Sequence, residues 1–120
     1  MLPRTILLID PDPDSLEIYS LMLEHYGFRV VCASDVEEGV LRAAELTPEL
    51  VVVEPFSRSN GRPVLDALAR DPHTSSLAIL PLTSAPTSMP GGGFLVKPCR
   101  PTELLAEVRK RLPPPHESLS

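Results

Sequence analysis

Leu50-Val51-Val52-Val53-Glu54-Pro55 organises the rest of this chain. Three β-branched residues in a row after a leucine, with no polar alternation, predict a strand buried on both faces, the habit of a central strand in a parallel sheet. A carboxylate, Glu54, closes the strand, and Pro55 follows it. In open α/β sheets, ligands gather outside the carboxyl ends of the strands. Glu54 therefore marks the end of the molecule where a site is expected.

The flanking sequence repeats the pattern. Thr5 to Ile9 predicts a second buried strand, ending in Asp10-Pro11-Asp12-Pro13-Asp14. From Asp14 to Tyr26, Leu16, Tyr19, Leu23 and Tyr26 recur at helical spacing, with Gly27 placed to stop the helix. Phe28 to Ala33 reads as a strand. Ser34-Asp35-Val36-Glu37 has the form of a capping box, with Ser34 as N-cap, before a helix that ends ahead of Pro48. Beyond Glu54, residues 57–61 read as a polar loop, Pro63 to Arg70 as a short helix, and Leu77 to Leu82 as a strand. Ala85 to Gly93 holds two prolines and three glycines, which excludes a helix on propensity. Phe94 to Val96 reads as a fifth strand and Pro101 to Leu112 as the last helix. The order β-α-β-α-β-α-β-loop-β-α predicts an α/β fold, a doubly wound five-stranded parallel sheet with right-handed crossovers.

Size and composition narrow the function. A chain of 120 residues suits one domain, and its 42% hydrophobic and 22% charged content is that of a soluble globular protein. A net charge of −5 leaves no basic stripe to neutralise phosphates, so nucleic acid is not a direct partner. The basic run Arg109-Lys110-Arg111 falls in the last turn of a helix, where it complements the helix dipole. No apolar run approaches a membrane span, and the N-terminus has no secretory pattern. Cys32 and Cys99 read as free thiols of a reducing compartment. A cytoplasmic location follows. His25, His73 and His116 share no ligand spacing. Pro113-Pro114-Pro115 is expected to close the domain, placed at residues 1–112, and to open a disordered tail or linker over residues 113–120.

Four strand ends offer Asp10, Glu54, Thr83 and Lys97. Two acids, a hydroxyl and an ammonium converging on one crevice suit a cation or a phosphoryl group. These motifs resemble those of the receiver domain of bacterial two-component response regulators. Ile-Leu-Leu-Ile-Asp-Pro-Asp-Pro-Asp resembles the acidic turn of its first strand, Pro-Glu-Leu-Val-Val-Val-Glu its phosphoacceptor strand, and Leu-Thr-Ser and Phe-Leu-Val-Lys-Pro its fourth- and fifth-strand signatures. The likeness spans residues 4 to 112. It implies a flavodoxin-like three-layer architecture. It also implies an acidic pocket at Asp10 and Asp12, a phosphoacceptor-equivalent at Glu54, switch or phosphate-contact equivalents at Thr83, Phe94 and Lys97, and a cis bond between Lys97 and Pro98.

The departures from that family carry the functional expectation. Glu54 stands where the family has its phosphoacceptor aspartate, and Pro11 where it has a magnesium-ligating acid. Thr83 to Lys97 spans 14 positions (97 − 83), about two helical turns fewer than the family pattern, so the fourth helix is expected to be missing or reduced. The resulting expectation is a pseudo-receiver, not an enzyme and not phosphorylated, that serves signal transduction as a protein-protein interaction module. Its partner would be a histidine kinase, an output protein or a second copy in a homodimer. No catalytic residue and no cofactor are assigned. Magnesium would be held weakly at most, with Asp10 and Glu54 the candidate ligands. Glu54 either pairs with Lys97, the preferred reading, or mimics a phosphoryl group, which carries about −1.5 to −2 charge against one for glutamate. Two alternatives stand beside this. One is a receiver that still accepts phosphoryl groups with weak magnesium at Asp10 and Asp12. The other is a nucleotide- or flavin-binding enzyme, disfavoured because the first turn has no glycine cradle and is acidic.

Overall fold

The computed structural model describes residues 3–55, 58–59, 62–84 and 93–112. Its elements in chain order are β1 (Thr5–Ile9), α1 (Pro13–His25), β2 (Arg29–Ala33), α2 (Val36–Leu46), β3 (Leu50–Val53), β4 (Arg58–Ser59), β5 (Arg62–Pro63), α3 (Val64–Arg70), β6 (Ile79–Thr83), β7 (Leu95–Val96) and α4 (Pro101–Arg111). Five strands form one sheet in the order β2-β1-β3-β6-β7, every pair parallel. This is the doubly wound, flavodoxin-like sheet, with four helices among the described residues.

Each central strand is sandwiched. All four residues of β3 are buried, and Ile6 to Ile9 of β1 are buried beside them. Because side chains alternate along a strand, Ile6, Leu8, Leu50, Val52, Leu80 and Leu82 face one layer, where Tyr19 and Leu23 of α1 and Leu104 and Val108 of α4 meet them. Leu7, Ile9, Val51 and Val53 face the other, against Val36 and Ala43 of α2 and Val64, Ala67 and Leu68 of α3. Register is therefore fixed twice over, since a one-residue slip would exchange the two cores.

The helix ends show which local signals hold. Asp12 caps α1, accepting from the Asp14 amide at 3.1 Å, and Pro13 occupies the first helical position. At the other end Gly27 (φ +90°) lets the Phe28 amide reach the Leu23 carbonyl at 3.3 Å and the Gly27 amide the Glu24 carbonyl at 3.0 Å, a Schellman closure. The cap of α2 lies one residue past the expected one. Asp35, not Ser34, is the N-cap, its carboxylate accepting from the Glu38 amide at 2.7 Å, while Glu38 rather than Glu37 reaches back to the Ser34 amide at 3.0 Å. Either residue can cap a helix; here the charged acceptor takes the role, with Val36 then the first residue to reach the core.

Two further differences are local. Within the polar loop expected over residues 57–61, Arg58–Ser59 pairs antiparallel with Arg62–Pro63, outside the main sheet. Strand β6 begins at Ile79, two residues later than read, because the Leu77 amide is held by the Thr74 carbonyl at 3.1 Å in the preceding turn. Thr74 is fully buried there, its hydroxyl donating to the Leu68 carbonyl at 2.6 Å. The expectations of no helix over residues 85–92 and of a tail over 113–120 lie outside the described residues.

Helix α2 docks on β1 through Gly39. A Cβ there would stand 2.6 Å from Ile9 Cδ1, 3.1 Å from Cγ1 and 3.2 Å from Cγ2, and Ile9 is fully buried. Three close atoms of one packed side chain cannot all swing aside. Gly39→Val should therefore lower stability by about 1–3 kcal/mol, overpacking outweighing the small gain in helix propensity. A shift of the urea midpoint to lower concentration checks this; an unchanged midpoint would mean that α2 is free to move off the sheet.

Candidate functional site

The carboxyl ends of the strands are levelled by backbone hydrogen bonds that run one residue past each strand. The Asp10 amide donates to the Ala33 carbonyl (3.0 Å), the Glu54 amide to the Ile9 carbonyl (2.9 Å), and the Lys97 amide to the Thr83 carbonyl (2.8 Å). These bonds place Asp10, Glu54 and Lys97 side by side at one end of the sheet. Both acids are buried, Asp10 2% and Glu54 8% exposed.

The Lys97 ammonium sits between them. Its Nζ makes an ion pair with Asp10 Oδ2 and another with Glu54 Oε2 at 3.3 Å. It also lies 3.3 Å from Ser15 Oγ, on the first turn of α1. The remaining Asp10 oxygen accepts from the Asp12 amide at 2.9 Å, and Glu54 Oε2 lies 3.4 Å from the Ser84 amide. Burial alone would pull the Lys97 ammonium down. The hydrogen bond and charge of Asp10, then those of Glu54, outweigh it and hold the group above the ordinary lysine value. The cluster thus keeps a charged ammonium against two carboxylates in a nearly dry place.

Not every residue singled out by sequence joins this cluster. Asp12 is exposed, and its two oxygens serve α1, one on the Asp14 amide and one on the Ser15 hydroxyl. Thr83 ends β6 with its side chain fully buried. Phe94 precedes β7 and is half-buried. The Lys97–Pro98 peptide is cis. Ser15 is the neighbour of this cluster that sequence reading missed, since a serine in a first helical turn is an ordinary occurrence. Among the described residues, no group of three or more His, Cys, Asp or Glu side chains is placed to hold a metal ion. Cys32 and Cys99 are both free, and burial pushes each thiol up, away from reactivity. Of the terminal basic run, Lys110 and Arg111 both pair with Glu107, at 2.9 and 2.7 Å. No helix among the described residues is long and apolar enough to cross a membrane.

No protein-family model matches the chain. Relatives do. The DNA-binding dual master transcriptional regulator RpaA of Synechocystis is 32% identical over 120 residues, covering 92% of this chain and 49% of that protein. The DNA-binding response regulator MtrA of Mycolicibacterium smegmatis is 29% identical over 118 residues, covering 91% of this chain and 50% of that protein. Among solved structures, the Vibrio cholerae chemotaxis protein CheY4 superposes with a TM-score of 0.77 at 21% identity, over 92% of this chain and 99% of that one. The fold and the relatives are those of a response-regulator receiver domain. The chain spans about half the length of RpaA and MtrA. Its cluster at the strand ends occupies the crevice where open α/β sheets bind ligands.

Proposed function

We propose that this receiver does not accept a phosphoryl group, holds no resident magnesium and works as a protein-interaction module in signal transduction. One observation carries the reading: the Lys97 ammonium is seated between the buried carboxylates of Asp10 and Glu54. The place where a divalent cation would meet both acids is filled by the protein's own cation. Pro11 has no ligand to add, and both Asp12 oxygens are engaged on α1. The residues present therefore do not fit the magnesium site that the receiver family implies.

The chemistry at Glu54 points the same way. Phosphoryl transfer to a carboxylate is almost wholly a matter of position and charge neutralisation. Glutamate carries its oxygens one methylene further out than aspartate, and a misplacement of about 1 Å can cost on the order of a hundredfold in rate. Glu54 Oε2 is also occupied, by Lys97 and by the Ser84 amide. This geometry favours Glu54 as a partner that closes the crevice over Glu54 as a phosphate mimic.

The partner is a protein of a signalling pathway in the cytoplasm: a histidine kinase, an output protein or a second copy of the chain. Val96 of β7 is 43% exposed, and we expect the contact from the surface around this strand and the last helix. A net charge of −5 speaks against direct nucleic-acid binding by this segment.

Intact-mass measurement after incubation with acetyl phosphate and magnesium tests the reading. The parent protein should gain no adduct. The Glu54→Asp, Pro11→Asp double variant should gain one, because it restores the shorter acceptor and the missing acid. A labile phosphoryl adduct on the parent would sink the proposal and make the domain a live switch with glutamate chemistry.

A further inference from the structure

An ammonium has three N–H groups, and among the described residues Lys97 has three acceptors within reach: Asp10 Oδ2, Glu54 Oε2 at 3.3 Å and Ser15 Oγ at 3.3 Å. The third has a direction of its own. The Ser15 hydroxyl donates to Asp12 Oδ2 at 3.1 Å, so its lone pairs are turned toward Lys97. The Asp12 amide in turn donates to Asp10 Oδ1 at 2.9 Å, and the other oxygen of Asp10 receives Lys97. Lys97, Ser15, Asp12 and Asp10 thereby close a ring of hydrogen bonds in which Lys97 donates twice, to Ser15 and to Asp10, and Asp10 accepts twice, from Asp12 and from Lys97. The aligned run from Lys97 through the Ser15 hydroxyl to the Asp12 carboxylate is polarised along its length, which strengthens both links.

We infer that Ser15 is a positioning residue for Lys97: it completes the ammonium's shell of acceptors and ties the charge cluster to the N-cap of α1. Without it, one N–H of a largely buried ammonium would lose its acceptor, and the lysine would be held by its two carboxylates alone. Ser15 also spans the gap between the first helix and the segment after β7, two parts of the chain separated by 82 positions. The first turn of α1 and the Lys97–Pro98 segment are then fastened as one unit. This arrangement does not depend on whether Glu54 accepts a phosphoryl group.

The chain has a favourable property for the test, because it contains two lysines, Lys97 and Lys110, and the Lys110 side chain is 70% exposed. Protein labelled with 15N only in lysine should show a proton-bearing Nζ signal from Lys97 near neutral pH, while Lys110 loses its signal to exchange with water. In Ser15→Ala, the Lys97 ammonium protons should exchange about tenfold faster, the scale of a hydrogen bond to a charged group. Ser15→Thr, which keeps a hydroxyl, should restore slow exchange. Thermal unfolding is recorded in parallel, because a role confined to the first helical turn would lower Tm and leave Lys97 exchange untouched. Exchange equal to the parent's in Ser15→Ala, with or without a fall in Tm, overturns the inference. So does the absence of any protected Lys97 signal in the parent. The readout uses unmodified protein, so an adduct in the mass measurement above would defeat the functional proposal and leave this one to its own result.

Discussion

Lys97→Met should lower stability by about 3–5 kcal/mol at neutral pH, the cost of leaving buried charge without its partner. Asp10 and Glu54 are 2% and 8% exposed and share one ammonium. A methionine of similar length would fill the space but leave two carboxylates facing each other. Since whole domains are stable by about 5–15 kcal/mol, this is among the largest effects a single surface-distant substitution can have. Adding Glu54→Gln to the variant should recover part of the loss, because one of the two charges is gone, and the double-mutant cycle isolates that coupling. Urea unfolding of the four proteins measures it. A loss below about 1 kcal/mol would place the cluster with solvated surface pairs and remove the ground for calling the ammonium an internal cation. The pH dependence has a definite sign. Lys97 is held above its ordinary value in the folded protein, so its stabilising contribution is complete below the ordinary lysine value. It is lost only as pH rises through the higher folded one.

Leu7→Ala and Leu8→Ala should each cost about 2–5 kcal/mol. Neighbours in one strand rarely suffer equally, since one usually faces solvent. Here Leu7 is 0% and Leu8 1% exposed, and they enter different cores, Leu7 among Val36, Ala43 and Leu68 and Leu8 among Tyr19, Leu23 and Leu104. Parallel sheets with helices on both faces have this property and half-buried antiparallel ones do not. Chemical denaturation of both variants checks the two layers at once. If only one substitution is damaging, the sheet is covered on a single side and the doubly wound architecture fails.

Much of this fold was legible because its strongest signals are local. Val51-Val52-Val53 has no polar face, so it could only be a strand covered twice. Gly27 is where a positive φ closes α1, and Pro48 stops α2. What Pro48 did not reveal is that Thr47 takes a left-handed conformation (φ 41°) before it, which a β-branched residue adopts only under tertiary pressure. The slip from Ser34 to Asp35 has a similar origin, since two adjacent residues can both cap and the core contact of Val36 selects between them. Asp10, Glu54 and Lys97 could be foreseen as neighbours because each directly follows a strand. Ser15 and the buried Thr74 could not. Each is a hydroxyl whose importance comes from a partner distant in sequence or from a turn's burial, and neither condition leaves a mark in the local pattern.

Strand β7 is two residues long and forms one border of the sheet, beyond β6. It is fastened just past its carboxyl end by the Lys97 amide on the Thr83 carbonyl, and ahead of its start by Arg111 Nη2 on the Gly93 carbonyl at 2.6 Å. An open sheet border is a template on which a foreign chain can add itself and grow an aggregate. This border offers a newcomer only a residue or two of free backbone before the chain turns away. Brevity, rather than a row of charged guards, is what keeps that side of the protein from recruiting strands. The opposite border, five-residue β2, has no such defence, and any backbone-mediated self-association would start there.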